Sequence, residues 1–203
     1  MYKLIIDNSL KDSNLGLRSG VTYGSQILRS NLGNDFVRDF TVTGETVNLA
    51  ARLEHISIHE LKLHNKMYFQ NTIDRFSEIS RLVSVCKDEH KLNPETFEVI
   101  QQFTLYQNIR SNLEKLDKAR FDIRFNQAFY LKIKDHFKKK GFPVLNPEMS
   151  EIHGYEEYEV NNFKLKFYFL YYNPKGFSSF ERIRILPIEA DILDKCDIHS
   201  IIS

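Results

Sequence analysis

Cysteine is scarce in this 203-residue chain: Cys86 and Cys196 are the only two. They are read as reduced, buried small apolar groups, not a disulfide, which points to the cytosol. Long hydrophobic runs are missing as well. Nothing approaches the ~18–20 apolar residues of a membrane span, and the opening "MYKLIIDNSLKDS" has no secretory core, so the expectation is a soluble cytoplasmic chain with no membrane segment. Charge of one sign is not in excess. Lys and Arg number 28 against 27 Asp and Glu, a net charge of +1, which argues against a global field for nucleic acid or anionic lipid. Glycine is thin too, at 8 residues, and unevenly spent: Gly16, Gly20, Gly24, Gly33 and Gly44 all fall before residue 58.

That unevenness divides the chain into three parts. Residues 1–57 hold short strand-like runs (Lys3–Ile6, Leu15–Tyr23, Phe40–Thr43) punctuated by those glycines. Residues 58–118 are free of glycine and helical in period, with a break at Asn93–Pro94, where Asn93 suits a cap and Pro94 a first turn. One stripe runs Ile73, Phe76, Ile79, Leu82, Val83. The other runs Phe97, Ile100, Phe103, Tyr106, Ile109, Leu113, Leu116. Both must be covered, either by the domain's own sheet or by a second copy. Residues 119–203 return to strand patterns, and "FKLKFYFLYY" alternates apolar residues with Lys as a surface strand does.

The chemistry-bearing stretch is "RDFTVTGETVNLAARLE", Arg38–Glu54. A strand turns at Gly44 into a helix on which Asn48 and Arg52, four apart, share one face. An amide can hold a hydroxyl and a guanidinium fork fits phosphate oxygens, so the pair suits a nucleotide. The spacing alone equally suits a surface Asn and a salt-bridged Arg on an ordinary amphipathic helix. Other candidates fail on geometry. His59 and His64 of "HELKLH" are five apart, whereas a helical metal pair needs four, and His55 with His59 lacks a third ligand. "KDHFKKKG" is a basic helix end that complements the helix dipole.

The longer string "GLRSGVTYGSQILRSNLGNDFVRDFTVTGETVNLAARLE", Gly16–Glu54, resembles the second half of the class III adenylate/guanylate cyclase catalytic domain. Gly20, Gly24, Gly33, Asp39, Thr41, Gly44, Val47, Asn48, Ala50, Ala51, Arg52 and Leu53 fall on the family pattern. "FDIRFNQAFYLKIKDHF" (Phe121–Phe137) and "EIHGYEEYEV" (Glu151–Val160) are similar to later family segments, which makes 58–118 a helical insertion. The resemblance implies an α+β, ferredoxin-like nucleotide cyclase fold, incomplete on its N-terminal side, with an inserted helical hairpin. It implies Asn48 orienting the ribose, Arg52 stabilising charge on the α-phosphate, and Thr41 reading the purine, with ATP favoured over GTP. His153 stands where the family carries a phosphate-binding Lys. The family uses Mg or Mn on two aspartates upstream of the glycine strand, and neither Asp7 nor Asp12 has the family context. The implied function is cyclic-nucleotide synthesis from ATP in a homodimer or a heterodimer with another cyclase domain, with this chain inactive alone because a homodimer would hold metal carboxylates in neither half. The alternative is a non-catalytic pseudo-cyclase that binds or dimerises.

Overall fold

The computed structural model describes residues 16–25, 28–33, 38–85 and 93–188. The strand expected at Lys3–Ile6, the carboxylates Asp7 and Asp12, and both cysteines lie outside them. The fold is α+β. Strand β1 (Leu17–Val21) is followed by a hairpin of β2 (Leu28–Gly33) and β3 (Arg38–Thr43), then helix α1 (Glu45–His55). Helices α2 (Ile58–Tyr68), α3 (Gln70–Val85) and α4 (Pro94–Leu116) come next. Strand β4 (Phe121–Asn126), helix α5 (Gln127–Lys139), a single turn α6 (Ser150–His153), and strands β5 (Tyr155–Val160), β6 (Phe163–Tyr172) and β7 (Glu181–Pro187) complete the order. Five strands form a mixed sheet in the order β1-β4-β7-β6-β5, in which only β1 and β4 run parallel.

Successive strand residues point to opposite faces, and both faces of this sheet are covered. On one side Leu49 and Leu53 of α1, Leu61 of α2 and Ile109 and Leu113 of α4 pack on Leu170, Ile183 and Ile185. On the other, Tyr130 of α5 joins Phe125, Tyr158, Phe167 and Leu186. The helices of 58–118 thus share a core with the sheet: α2 and α4 lie against β6 and α3 against α4. On α4 the expected Ile109, Leu113 and Leu116 are buried, joined by Val99 and Leu105 from outside the expected stripe, while Phe97 is 54 % exposed.

The helical stretch expected to run unbroken from Ile58 is two helices, separated at Phe69 (φ −92°, ψ 9°). Phe69 is buried against Tyr68, Tyr106 and Tyr171, and seating that ring sets the break. Helix α2 starts on a capping box in which Ser57 and Glu60 satisfy each other's backbone N–H.

Strand β6 outruns its neighbour. Its pairing with β5 ends at Tyr168↔Tyr155, yet β6 continues to Tyr172. Three groups complete that edge: Phe169 N–H donates to the Gly154 carbonyl (3.0 Å), Tyr171 N–H to Asn65 Oδ1 (3.0 Å) and Asn173 N–H to His64 Nδ1 (3.1 Å). Asn65 Nδ2 returns a bond to the Tyr171 carbonyl (3.1 Å), so side chains of α2 stand in for a missing strand.

Candidate functional site on helix α1

Two glycines position α1. Gly44, its N-cap, has φ 131° and ψ 170°, a conformation open to glycine, and this turns β3 into the helix. Gly20 lies beneath the helix: a Cβ there would sit 2.0 Å from the Ala50 carbonyl oxygen. The start of α1 is tied to β1 by Thr22 Oγ1 donating to the Thr46 carbonyl at 2.7 Å.

The C-terminal end of α1 rests on cations. Arg124 of β4 is fully buried; its Nη1 donates to the carbonyls of Leu53 (3.1 Å) and Ile56 (2.5 Å), and its Nε to Asp122 Oδ1 (2.7 Å). Arg18 also reaches Ile56 O (3.3 Å) and Asp122 Oδ2 (3.4 Å). Two guanidinium groups therefore satisfy the orphan carbonyls and oppose the negative end of the helix dipole. Burial pulls the Arg124 guanidinium below its ordinary range while the bond to Asp122 pulls it back.

On the helix so held, Asn48 is exposed and Arg52 half-buried, one turn apart. The Arg52 guanidinium donates to the carbonyl of Lys175, in the loop after β6. Its charge also reaches Tyr172, whose phenol is raised by burial in spite of it. His64 stacks on Tyr172 at 5.2 Å, and burial lowers its imidazole against the opposing charge of Glu60. The loop carbonyl and Tyr172 thus border Arg52, with His64 stacked on Tyr172, and none of these neighbours was expected from the sequence.

The other two expected residues lie elsewhere. Thr41 is on β3, opposite Ser30 in the hairpin. His153 ends α6 just before β5, at the sheet edge opposite β1, and three strands separate the two edges. His153 is held there by Asn112 of α4, which donates to its carbonyl (2.8 Å), whereas Arg52 reaches the loop after β6. The His153 ring stacks on Tyr155 at 5.7 Å, and its Nδ1 is buried without a hydrogen-bond partner among the described residues. Gly154 has φ 76° and caps the turn; a Cβ there would press on Asn112 and Ile109 at 3.2 Å. Chain reversal and the approach of α4 account for that His–Gly pair without a phosphate.

The divalent cation implied by the resemblance finds no fit among the described residues, which exclude Asp7 and Asp12. Among the described residues no group of three or more His, Cys, Asp or Glu could hold a metal, and Glu45 and Glu54 are exposed on α1. Neither a protein-family model, nor a characterised protein, nor a solved structure matches the chain. Among the described residues no helix is long and apolar enough to cross a membrane.

The sequence reading also missed the buried charges. "FDIRF", "YEEYEV" and "ERIRIL" alternate charged with apolar residues, a pattern that reads as a solvated face. Helices cover both faces, so the charges are paired inside: Asp122 with Arg124, and Glu156 with Lys134 at 2.9 Å and Arg184 at 3.8 Å. Asp and Arg two apart within "FDIRF" was the available signal, since alternate strand residues share a face.

Proposed function

We propose that the chain is a nucleotide-cyclase-type domain of ferredoxin-like design that lends Asn48 and Arg52 to an active site shared with a second domain. One observation carries the reading: an exposed Asn48 and a half-buried Arg52 stand one turn apart on a helix turned in by Gly44 and seated over Gly20. In this role Asn48 hydrogen-bonds the ribose of an adenine nucleotide, and Arg52, released from the Lys175 carbonyl, offers a guanidinium where charge develops on phosphate. Thr41 meets the purine. The described residues hold no donor set for Mg or Mn, so no metal step is assigned to this chain. A partner cyclase domain, in a heterodimer, completes the site.

Mixing the chain with a cyclase domain that lacks its own Asn and Arg but keeps its carboxylates, and assaying cyclic AMP from ATP, tests this. Activity is expected from the mixture, none from either component, and none when the chain carries Arg52→Ala. Robust product from the chain alone, or none from an associated mixture, sinks the catalytic reading.

A second reading has its own observation. Arg52 is already engaged by the Lys175 carbonyl, and His153 sits at the opposite sheet edge. A pseudo-cyclase that binds nucleotide weakly or only dimerises needs nothing more. Amide shifts on ATP titration that cluster at residues 41–52 without turnover in any mixture would favour it.

A further inference from the structure

A cavity of about 330 Å³ opens on the far side of the sheet from α1. Helix α5 forms one wall with Lys134 and Lys138; the segment after it forms the other with Phe142, Pro143 and Val144; Tyr158 of β5 is the floor. The second wall is fixed. Val144 bridges to Tyr158, Leu145 N–H donates to the Glu157 carbonyl (2.8 Å), and Asn146 bonds the backbone of both Tyr155 (3.0 Å) and Glu157 (2.8 Å). Phe137 wedges edge-on between Phe142 and Tyr158. Rings and aliphatic carbons make nearly all of the lining, so a ligand here must be mostly apolar.

The charge around the cavity is unbalanced. Glu156 is the one buried carboxylate beside it, and Lys134 (2.9 Å), the Tyr158 hydroxyl (3.1 Å) and Arg184 (3.8 Å) all face it. Arg184 is itself buried between the rings of Tyr130 and Phe169, and its Nε and Nη1 have no hydrogen-bond partner among the described residues. Asp135, exposed on α5, is bonded to Lys139 at 2.8 Å. Lys138 has no ion pair among the described residues, so Lys134, Lys138 and Arg184 outnumber Glu156. Lys134 and Lys138 are four apart and therefore share one helix face.

We propose that this cavity is a binding site for a small apolar monocarboxylate, its ring or short alkyl chain on Tyr158, Phe142 and Val144 and its carboxylate between the Lys134 and Lys138 ammonium groups. At ~30 Å³ per water the space holds about eleven waters, room for an organic acid of roughly ten non-hydrogen atoms. A phosphate-bearing ligand fits less well, because no arginine fork lines the cavity to meet a dianion and Gly141 is a single glycine, not a run of backbone donors. The incoming carboxylate competes with Glu156 for Lys134.

Phenylacetate and hexanoate, with phenylethanol, phenethylammonium and inorganic phosphate as controls, test this on the full chain by amide-shift titration. Both acids are expected to saturate with dissociation constants on the order of 1 mM or below, with shifts centred on 134–144 and Tyr158. Lys138→Ala, an exposed change that leaves the fold intact, is expected to weaken them about tenfold. Glu156→Gln is expected to tighten them several-fold by freeing Lys134; if that variant does not fold, the Lys138→Ala comparison decides alone. Equal binding of phenylethanol, equal binding of phosphate, unchanged affinity in Lys138→Ala, or no saturable shift up to ~50 mM acid would each overturn the assignment.

Discussion

Asn65 offers the sharpest test of how the helices hold the sheet. It is 1 % exposed, accepts from Tyr171 N–H at 3.0 Å, and donates to the carbonyls of Tyr171 (3.1 Å) and Leu61 (2.7 Å). Replacing it with leucine keeps the approximate volume but leaves the strand's donor and acceptor unmet at an edge where β5 has ended. Each orphaned buried group costs about 1–3 kcal/mol, so Asn65→Leu should destabilise by about 2–6 kcal/mol, with ~3–4 kcal/mol the working figure. For a chain of this size that corresponds to a fall in Tm of roughly 8–12 °C. Urea unfolding followed by circular dichroism measures it, with an unchanged m-value showing that the two states remain comparable. Asn65→Asp separates the bonds. Its carboxylate still accepts from Tyr171 N–H but faces two carbonyls it cannot donate to, so at neutral pH it should be at least as damaging. Protonation in acid restores a donor, and part of the loss should then return relative to wild type. A cost below ~1 kcal/mol for Asn65→Leu would mean that water reaches the edge of β6, and the account of α2 as a surrogate strand would fail.

The two buried arginines should behave differently. Arg124→Met strands the Leu53 carbonyl and leaves Asp122 and the Ile56 carbonyl to the longer bonds of Arg18, and should cost about 3–5 kcal/mol, whereas Arg184→Met removes a cation with two nitrogens unpartnered among the described residues and should cost less than half of that, both by urea unfolding. His64 should make stability pH-dependent. Burial sets its folded pKa below the ordinary ~6.5, so its contribution is present above that value and is lost as pH falls through the lowered folded one. His64→Gln should flatten the stability profile below about pH 6.5 relative to wild type, and an identical slope in both would refute the role of Nδ1 as acceptor for Asn173. Gly20→Ala should cost more than ~2 kcal/mol and displace α1, because its Cβ has no room under Ala50. Unchanged amide shifts at residues 45–55 in that variant would refute the close seating.

Local chemistry determined much of this molecule from the sequence alone. Gly44 marks the entry to α1 because few other residues adopt its backbone angles, and Asn93–Pro94 marks the start of α4 because the cap and the fixed φ are local effects. The strand Phe121–Asn126 runs at once into a helix capped by Asn126, a local signal the sequence reading left unused. The pairing of Asn48 with Arg52 on one helix face needed only helical geometry. What surrounds that pair did not follow from any local rule. Only the sheet order sends His153 to the opposite edge, and only the packing of the β6–β7 loop brings the Lys175 carbonyl to Arg52. The break at Phe69 came from seating one ring among three others, a contact between segments far apart in the chain. Asp122 and Arg124 of β4, Glu156 of β5 and Arg184 of β7 sit in strands that alternate charged with apolar residues as on a solvated face, yet these four are buried, because helices cover the sheet on both sides. That covering is a long-range outcome of packing, and no window of sequence contains the residues that decide it.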